Sequence, residues 1–263
     1  MEQRSISEHH ATADRFDAWY RTMRSDYRLT AFTYGRKKID ELLDQQLGIL
    51  PSDARILDVG CGTGEQVALF RQRGFAVVGV EPAENMRVMA QRQNPDIQIL
   101  DGTATHLPFP DHHFDLVTAF EVYRYFQRPE MMLALREAIR VTRPGGRLFF
   151  TMVNRYALDG FYLYNGLRHM LASLRGTLPP IHCEFTTPGE VRAILKELGI
   201  QDVTCQGRMF GLLRFIYRLH EGTGAKAAAR LEGLDDKISQ LPWTTPLAGH
   251  LIVTAVSPPI ARG

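Results

Sequence analysis

Cysteine is scarce in this chain: Cys61, Cys183 and Cys205 are all that 263 residues contain, and no two of them form a CxxC pair. That excludes a disulfide framework and a cysteine-built zinc site, no other metal site is expected, and a reducing cytoplasm fits best. Long apolar runs are missing too. Nowhere do about 18 apolar residues follow one another, and the opening stretch MEQRSISEHHATADRF lacks the apolar segment of a signal peptide. A soluble, cytoplasmic protein is therefore expected. Neither sign of charge is in excess, since 31 basic residues face 29 acidic ones for a formal net charge of +2. Such a balance implies no electrostatic commitment to nucleic acid, although local basic patches stay open. Internal repeats and low-complexity segments are absent. What remains, 44% hydrophobic and 10% aromatic residues, suits one large α/β domain with additions.

The centre of the sequence is the run Ile56-Leu57-Asp58-Val59-Gly60-Cys61-Gly62-Thr63-Gly64-Glu65. An apolar strand breaks into three alternate glycines and a helix follows at once, which is how a nucleotide-like ligand is cradled. Around it, strand patterns over 55–59, 76–81, 97–100 and 115–120 alternate with helical patterns over 65–72, 84–93 and 130–141. This alternation predicts a parallel sheet with helices on both faces. Arg143-Pro144-Gly145-Gly146 reads as the stop between the last of these helices and a strand over 147–153. Further on, a helix starting at Thr187-Pro188-Gly189-Glu190 and strands over 202–205 and 250–256 resume the pattern. Two segments interrupt it as helical insertions, at about 154–186 and 207–249, and residues 1–50, rich in aromatics, precede the first strand as a helical lid on a domain of 51–263.

The dinucleotide fingerprint wants its third glycine where Glu65 stands, which weakens a nicotinamide-dependent oxidoreductase. Glu81, in Val80-Glu81-Pro82, closes the second strand roughly twenty residues later, where a carboxylate accepts ribose hydroxyls. With Leu57-Asp58-Val59-Gly60-Cys61-Gly62-Thr63-Gly64 and Val80-Glu81-Pro82 in place, the chain resembles the class I S-adenosylmethionine-dependent methyltransferases, in the small-molecule branch of the ubiquinone/menaquinone-biosynthesis type, methyltransferase type 11. The resemblance covers about 55–153 strongly and the later strands loosely. It implies a Rossmann-like, doubly wound α/β fold with a mainly parallel seven-stranded sheet, the last strand antiparallel, plus helical caps. It also implies that S-adenosylmethionine is bound, and S-adenosylhomocysteine left, by Asp58, Gly60, Cys61, Gly62 and Gly64, with Glu81 and Pro82 at the ribose. Gly102, Thr103 and Ala104 would lie at the adenine edge, with Phe120 after the fourth strand. Where the family pattern carries an Asp, this chain has Thr103, so its hydroxyl or a neighbour such as Asp101 takes that role. Met86 either packs on the adenine or joins the core.

Past the fourth strand, Phe120-Glu121-Val122-Tyr123-Arg124-Tyr125 replaces the family's usual histidine or acidic turn. Tyr123 and Tyr125 are candidates to orient an acceptor, or else to pack beneath the cap. His182 is the leading candidate base, His106 a second. The implied acceptor is a small or lipid-like molecule, methylated at oxygen in the leading reading, with nitrogen and carbon open; a non-catalytic cofactor-binding protein is the alternative. The aromatic, basic stretches 156–170 and 208–218 read as walls around a bulky acceptor, with an anionic group on it as one option, as a helix resting on a membrane surface, or as ordinary core cover. Tyr20, Tyr27 and Tyr34 are read as part of the lid. Nucleic acid is not an expected substrate, because the Asn/Asp-Pro-Pro-aromatic element of amino-methylating DNA enzymes is absent after the fourth strand. A monomer or homodimer is expected.

Overall fold

The structure, a computed structural model, describes Ile6, Ala18 and residues 25–210 and 212–259. Phe16, Trp19 and Tyr20 of the expected lid lie outside the described residues. The strands are β1 (Arg55–Val59), β2 (Ala76–Val80), β3 (Gln98–Leu100), β4 (Phe114–Ala119), β5 (Thr142–Asn154), β6 (Phe185–Thr186), β7 (Val203–Phe210) and β8 (Ala248–Val256). The helices are α1 (Ala31–Leu47), α2 (Glu65–Gln72), α3 (Glu84–Gln93), α4 (Arg128–Val141), α5 (Phe161–Leu174), α6 (Pro188–Glu197), α7 (Leu212–Leu219) and α8 (Glu221–Ser239).

One sheet runs in the order β3-β2-β1-β4-β5-β8-β7, and β6 pairs with the end of β5 off that path. From β3 to β5 all pairings are parallel, whereas β8 lies antiparallel between β5 and β7. The doubly wound sheet with an antiparallel last strand is as expected; the two-residue β6, an eighth strand, is not. Strand alternation divides the core in two, because successive side chains leave opposite faces. Leu57, Val59, Leu148, Phe150, Leu251 and Val253 face α4 and α6, while the intervening Ile56, Phe149 and Ile252 face α1 and α2.

Local signals explain most boundaries. Thr30 and Thr33 form a reciprocal cap at the start of α1, and Thr187 with Glu190 does the same for α6. The Pro144-Gly145-Gly146 stop behaves differently from its sequence reading. Helix α4 passes straight into β5 at Thr142, and the register to β4 jumps from Phe114↔Thr142 to Leu116↔Arg147. Proline lacks a donor and Gly145 takes φ +74°, so the three residues make an irregularity inside an extended segment. Backbone bonds to Ser257 pin it: Gly145 N–H donates to Ser257 O (3.0 Å) and Ser257 N–H to Gly146 O (2.8 Å).

The second insertion folds back on α1. Tyr34, fully buried, donates to Asp235 (3.1 Å), Tyr27 donates to Glu232 (2.8 Å), and Lys38, 1% exposed, pairs with Glu232 and Asp236 at 2.8 Å each. Tyr27 and Tyr34 therefore bind α8 instead of closing over a ligand. The other face of α1, with Phe32, Arg36 and Ile39, borders the cavity described below.

Candidate active site

A cavity of about 460 Å³ opens at the carboxyl ends of β1, β2 and β4, the edge where open parallel sheets bind ligands. The amino end of β8 reaches the same edge, because His250 pairs with Val153 near the end of β5. The cavity is lined from one side by the glycine loop and from the other by the turn after β4, under a roof of Phe32, Arg36 and Ile39 from α1.

The loop is held by its backbone. Gly60 and Cys61 N–H both donate to Val80 O, at 2.7 and 3.0 Å. Gly60 has φ +68°, and a Cβ there would stand 2.6 Å from Val122 Cγ2; a side chain would push the loop off the turn after β4. Gly64, at φ +90°, caps α2 and would drive a Cβ into Asn94 Nδ2 at 2.6 Å. It seats α2 on α3 and does not line the cavity, unlike Asp58, Gly60, Cys61 and Gly62.

Glu81 sits at the end of β2, 6% exposed, accepting Gly62 N–H on Oε2 (2.9 Å) and Ala83 N–H on Oε1 (2.8 Å). Burial raises its pKa, and the two N–H donors work against that shift. A carboxylate offers about four lone-pair sites, so both oxygens keep accepting capacity toward the cavity. Asp58, 1% exposed, accepts from Thr118 Oγ1 at 2.6 Å, and burial pushes its pKa up to about 7. Pro82, Met86, Gly102, Ala104 and Phe120 also line the cavity. Thr103 does not: its hydroxyl bonds Thr105 (3.0 Å), and the neighbouring Asp101 points outward to Arg87 (3.1 Å).

Beyond the loop the chain adds residues that sequence reasoning missed. Glu121 adopts φ +59°, a conformation rare for a residue with a Cβ and concentrated at functional sites. Its carboxylate accepts from Thr151 Oγ1 (3.0 Å) and Arg124 Nη1 (2.6 Å) and lies 3.5 Å from His250 Nε2. Burial alone would raise its pKa, but His250 and Arg124 together hold the carboxyl well below the usual range. Arg214 reaches the same end from α7. Four polar atoms of cavity residues have no hydrogen-bond partner among the described residues: Thr63 Oγ1, Gln66 Nε2, Arg124 Nε and His250 Nδ1. Buried polar atoms are rarely left so, and orphans around an enclosed space fit a polar ligand. Only Thr63 and Gln66 had a sequence signal, Thr63 by its place between the last two glycines and Gln66 by its place in the first turn of the helix that follows.

The three expected catalytic residues part company. Tyr125 lines the cavity. Tyr123 is 1% exposed and packs edge-on against Phe150 at 5.2 Å, its phenol pKa raised by burial. The two alternate within a single 3₁₀ turn, Tyr123–Tyr125, so they leave it in different directions. His182 pairs with Glu184 at 3.1 Å outside the cavity, and His106 lies outside it as well. No metal-ligating cluster of His, Cys, Asp or Glu occurs among the described residues.

A methyltransferase-domain family matches residues 57–150. A demethylmenaquinone methyltransferase of Renibacterium salmoninarum is 38% identical over 107 residues, 41% of this chain and 44% of that protein. A ubiquinone biosynthesis O-methyltransferase of Nitrosospira multiformis is 25% identical over 201 residues, 71% of this chain and 81% of that protein. The chain thus spans less than half the length of the first of these relatives. Among solved structures, a Thermotoga maritima S-adenosylmethionine-dependent methyltransferase, described as a possible histamine N-methyltransferase, superposes with a TM-score of 0.58 at 18% identity, covering 94% of this chain and 97% of that one. The phosphoethanolamine N-methyltransferase 2 of Haemonchus contortus, solved with S-adenosylmethionine, gives a TM-score of 0.58 at 16% identity over 84% of this chain and 52% of that one. At these identities the structures speak for the fold alone. The family match thus lays a methyltransferase-domain pattern over residues 57–150, the stretch that holds the glycine loop and Glu81.

Proposed function

We propose that the protein transfers a methyl group from S-adenosylmethionine to a small, lipid-like acceptor, at an oxygen as the name of its ubiquinone-biosynthesis O-methyltransferase relative has it. The observation that carries this reading is one continuous cavity that joins the glycine loop and Glu81 to the cluster Glu121, Arg124, Tyr125 and His250. The residues fit the cofactor. Glu81 would accept the ribose hydroxyls, Met86 and Ala104 would flank the adenine, and Thr63 and Gln66 would meet the polar amino-acid end. Asp58 and Glu81 suit a ligand of positive charge. When bound, the cofactor supplies a carbon already activated by its sulfonium, so the chain's work is mainly to place the acceptor in line and exclude water. Tyr125 and Phe126 offer the aromatic wall for that purpose.

Residues of α1 that roof the cavity support a lid role for the N-terminal part. Surface chemistry supports a peripheral membrane contact. Only Ala172 of α5 is buried, and Leu163 (74%), Met170 (53%) and Leu174 (76%) stand exposed, within a stretch from 160 to 183 that contains no acidic residue. Such a helix suits an anionic lipid surface, next to a lipid-like acceptor. Among the described residues, no helix is long and apolar enough to cross a membrane.

Titration calorimetry with S-adenosylhomocysteine tests the donor half. The wild type should bind, and Glu81→Ala should bind at least about 100-fold more weakly, because two charge-assisted bonds of about 1.5–3 kcal/mol each disappear. Failure of the wild type to bind would sink the proposal. A screen of hydroxylated acceptors with methyl-tritiated donor then separates an enzyme from a cofactor-binding protein.

A further inference from the structure

Two guanidinium groups, Arg124 and Arg214, line the end of the cavity away from the glycine loop, and that of Arg218 stands behind them. Arg124, Arg214 and Arg218 all approach the ring of Phe161, at 5.9, 5.2 and 5.3 Å. Two carboxylates answer them: Glu121 pairs with Arg124 (2.6 Å) and Asp159 with Arg214 (3.0 Å). Glu121 is also shared with His250. Arg124 uses Nη1 for Glu121 and Nη2 for Cys183 Sγ (3.3 Å), which leaves its buried Nε without a partner among the described residues. Burial lowers the pKa of Arg214; Asp159 opposes the shift, and the like charges of Arg124 and Arg218 add to it. Both Arg124 and Arg214 line the cavity. The opposite, donor end carries Asp58 and Glu81. The cavity is thus polarised, acidic where the positively charged donor would lie and basic beyond it.

We propose that Arg124 and Arg214 form an oxyanion-binding pair, and that the acceptor carries a carboxylate or phosphate group seated between them. This rests on the methyl-transfer reading and deepens it by naming the acceptor's charge. The group would supply the partner that Arg124 Nε lacks and relieve the repulsion among the guanidinium groups, since arginine matches planar oxyanions through its fixed fork of donors. It would also set the acceptor's orientation, with its aromatic body against Tyr125 and Phe126.

Calorimetry on protein loaded with S-adenosylhomocysteine provides the test, with 3,4-dihydroxybenzoate set against catechol and phenyl phosphate against phenol. The anionic member of at least one pair should bind about tenfold or more tightly than its neutral partner, the value of one charge-assisted hydrogen bond; which pair shows the larger ratio distinguishes carboxylate from phosphate. In Arg124→Gln and Arg214→Gln the ratio should fall to about twofold or less while S-adenosylhomocysteine affinity holds. Because Arg214→Gln strands the buried Asp159, the double variant Arg214→Gln/Asp159→Asn serves as the folded control. Arg124→Lys keeps the charge without the Nε edge and should retain an intermediate ratio. Equal binding of anionic and neutral probes, no binding of either anionic probe, or a ratio that survives both glutamine variants would overturn the proposal. Failure to load S-adenosylhomocysteine would instead strike the donor reading, and the same probe comparison on unloaded protein would still decide the arginine pair.

Discussion

Titrating the unliganded protein from pH 8 to pH 5.5 should make it more stable through Asp58. In an unfolded chain an aspartate titrates near about 3.9, but in the fold burial raises Asp58 to about 7. A carboxyl whose folded pKa lies above its unfolded one destabilises the fold when ionised. The destabilisation is fully present above about pH 7 and is relieved as pH falls from 7 toward 4. At about 1.4 kcal/mol per tenfold change, the burden is about 4 kcal/mol at pH 8 and about 2 kcal/mol at pH 5.5, a gain of about 2 kcal/mol from this group on acidification. Asp58→Asn removes the titration and keeps an oxygen to accept from Thr118 Oγ1. The variant should be more stable than the wild type at pH 8, and the pH dependence of its stability should differ from the wild type's by about 2 kcal/mol over this range. Urea unfolding at the two pH values, followed by circular dichroism, measures both. Parallel pH dependences in wild type and variant would refute the argument, because they would mean that Asp58 titrates normally in the fold.

Gly64→Ala should lower stability by about 2 kcal/mol or more, from the left-handed backbone and the collision with Asn94, and thermal unfolding will show it. Tyr123→Phe should leave acceptor turnover within about twofold of wild type, because its ring lies in the core, whereas Tyr125→Ala should reduce it about tenfold or more by removing part of the aromatic wall; steady-state kinetics with an identified acceptor compares them. Replacing Leu163 and Leu174 with serine should weaken flotation with phosphatidylglycerol vesicles without changing S-adenosylhomocysteine affinity, each leucine contributing about 1.5 kcal/mol or more if it enters the bilayer interface.

What the sequence made legible follows from where the forces are local. The strand β1, the turn at Gly60–Gly64 and the helix α2 are specified by neighbouring residues, and both elements have the bounds read from the sequence. Glu81 was legible because its distance from the loop is set by one helix and one strand. Pro144-Gly145-Gly146 misled because the same residues that stop a helix also make a bulge, and pairing with Ser257, far along the chain, decides between the two. The far end of the cavity was legible only in part, for the same reason: the basic stretch that holds Arg214 reads as a wall, but its meeting with Glu121 and His250, from a turn, a helix and the last strand, does not show in the sequence. Tyr123 and Tyr125 were indistinguishable as letters, and only the tight turn that carries them sends one to the core and one to the cavity.

The position of β8 has a further consequence, for the order in which the molecule is completed. β7 meets the sheet only through β8, and β8 meets β5 only after about a hundred residues have intervened. During synthesis, β1 to β5 and the glycine loop with Glu81 can assemble early, while β7 waits for a partner and the cavity lacks His250. Contacts of such long sequence separation slow folding, and an interval with the edge of β5 uncovered is the time when the nascent chain is most exposed to strand pairing with other chains.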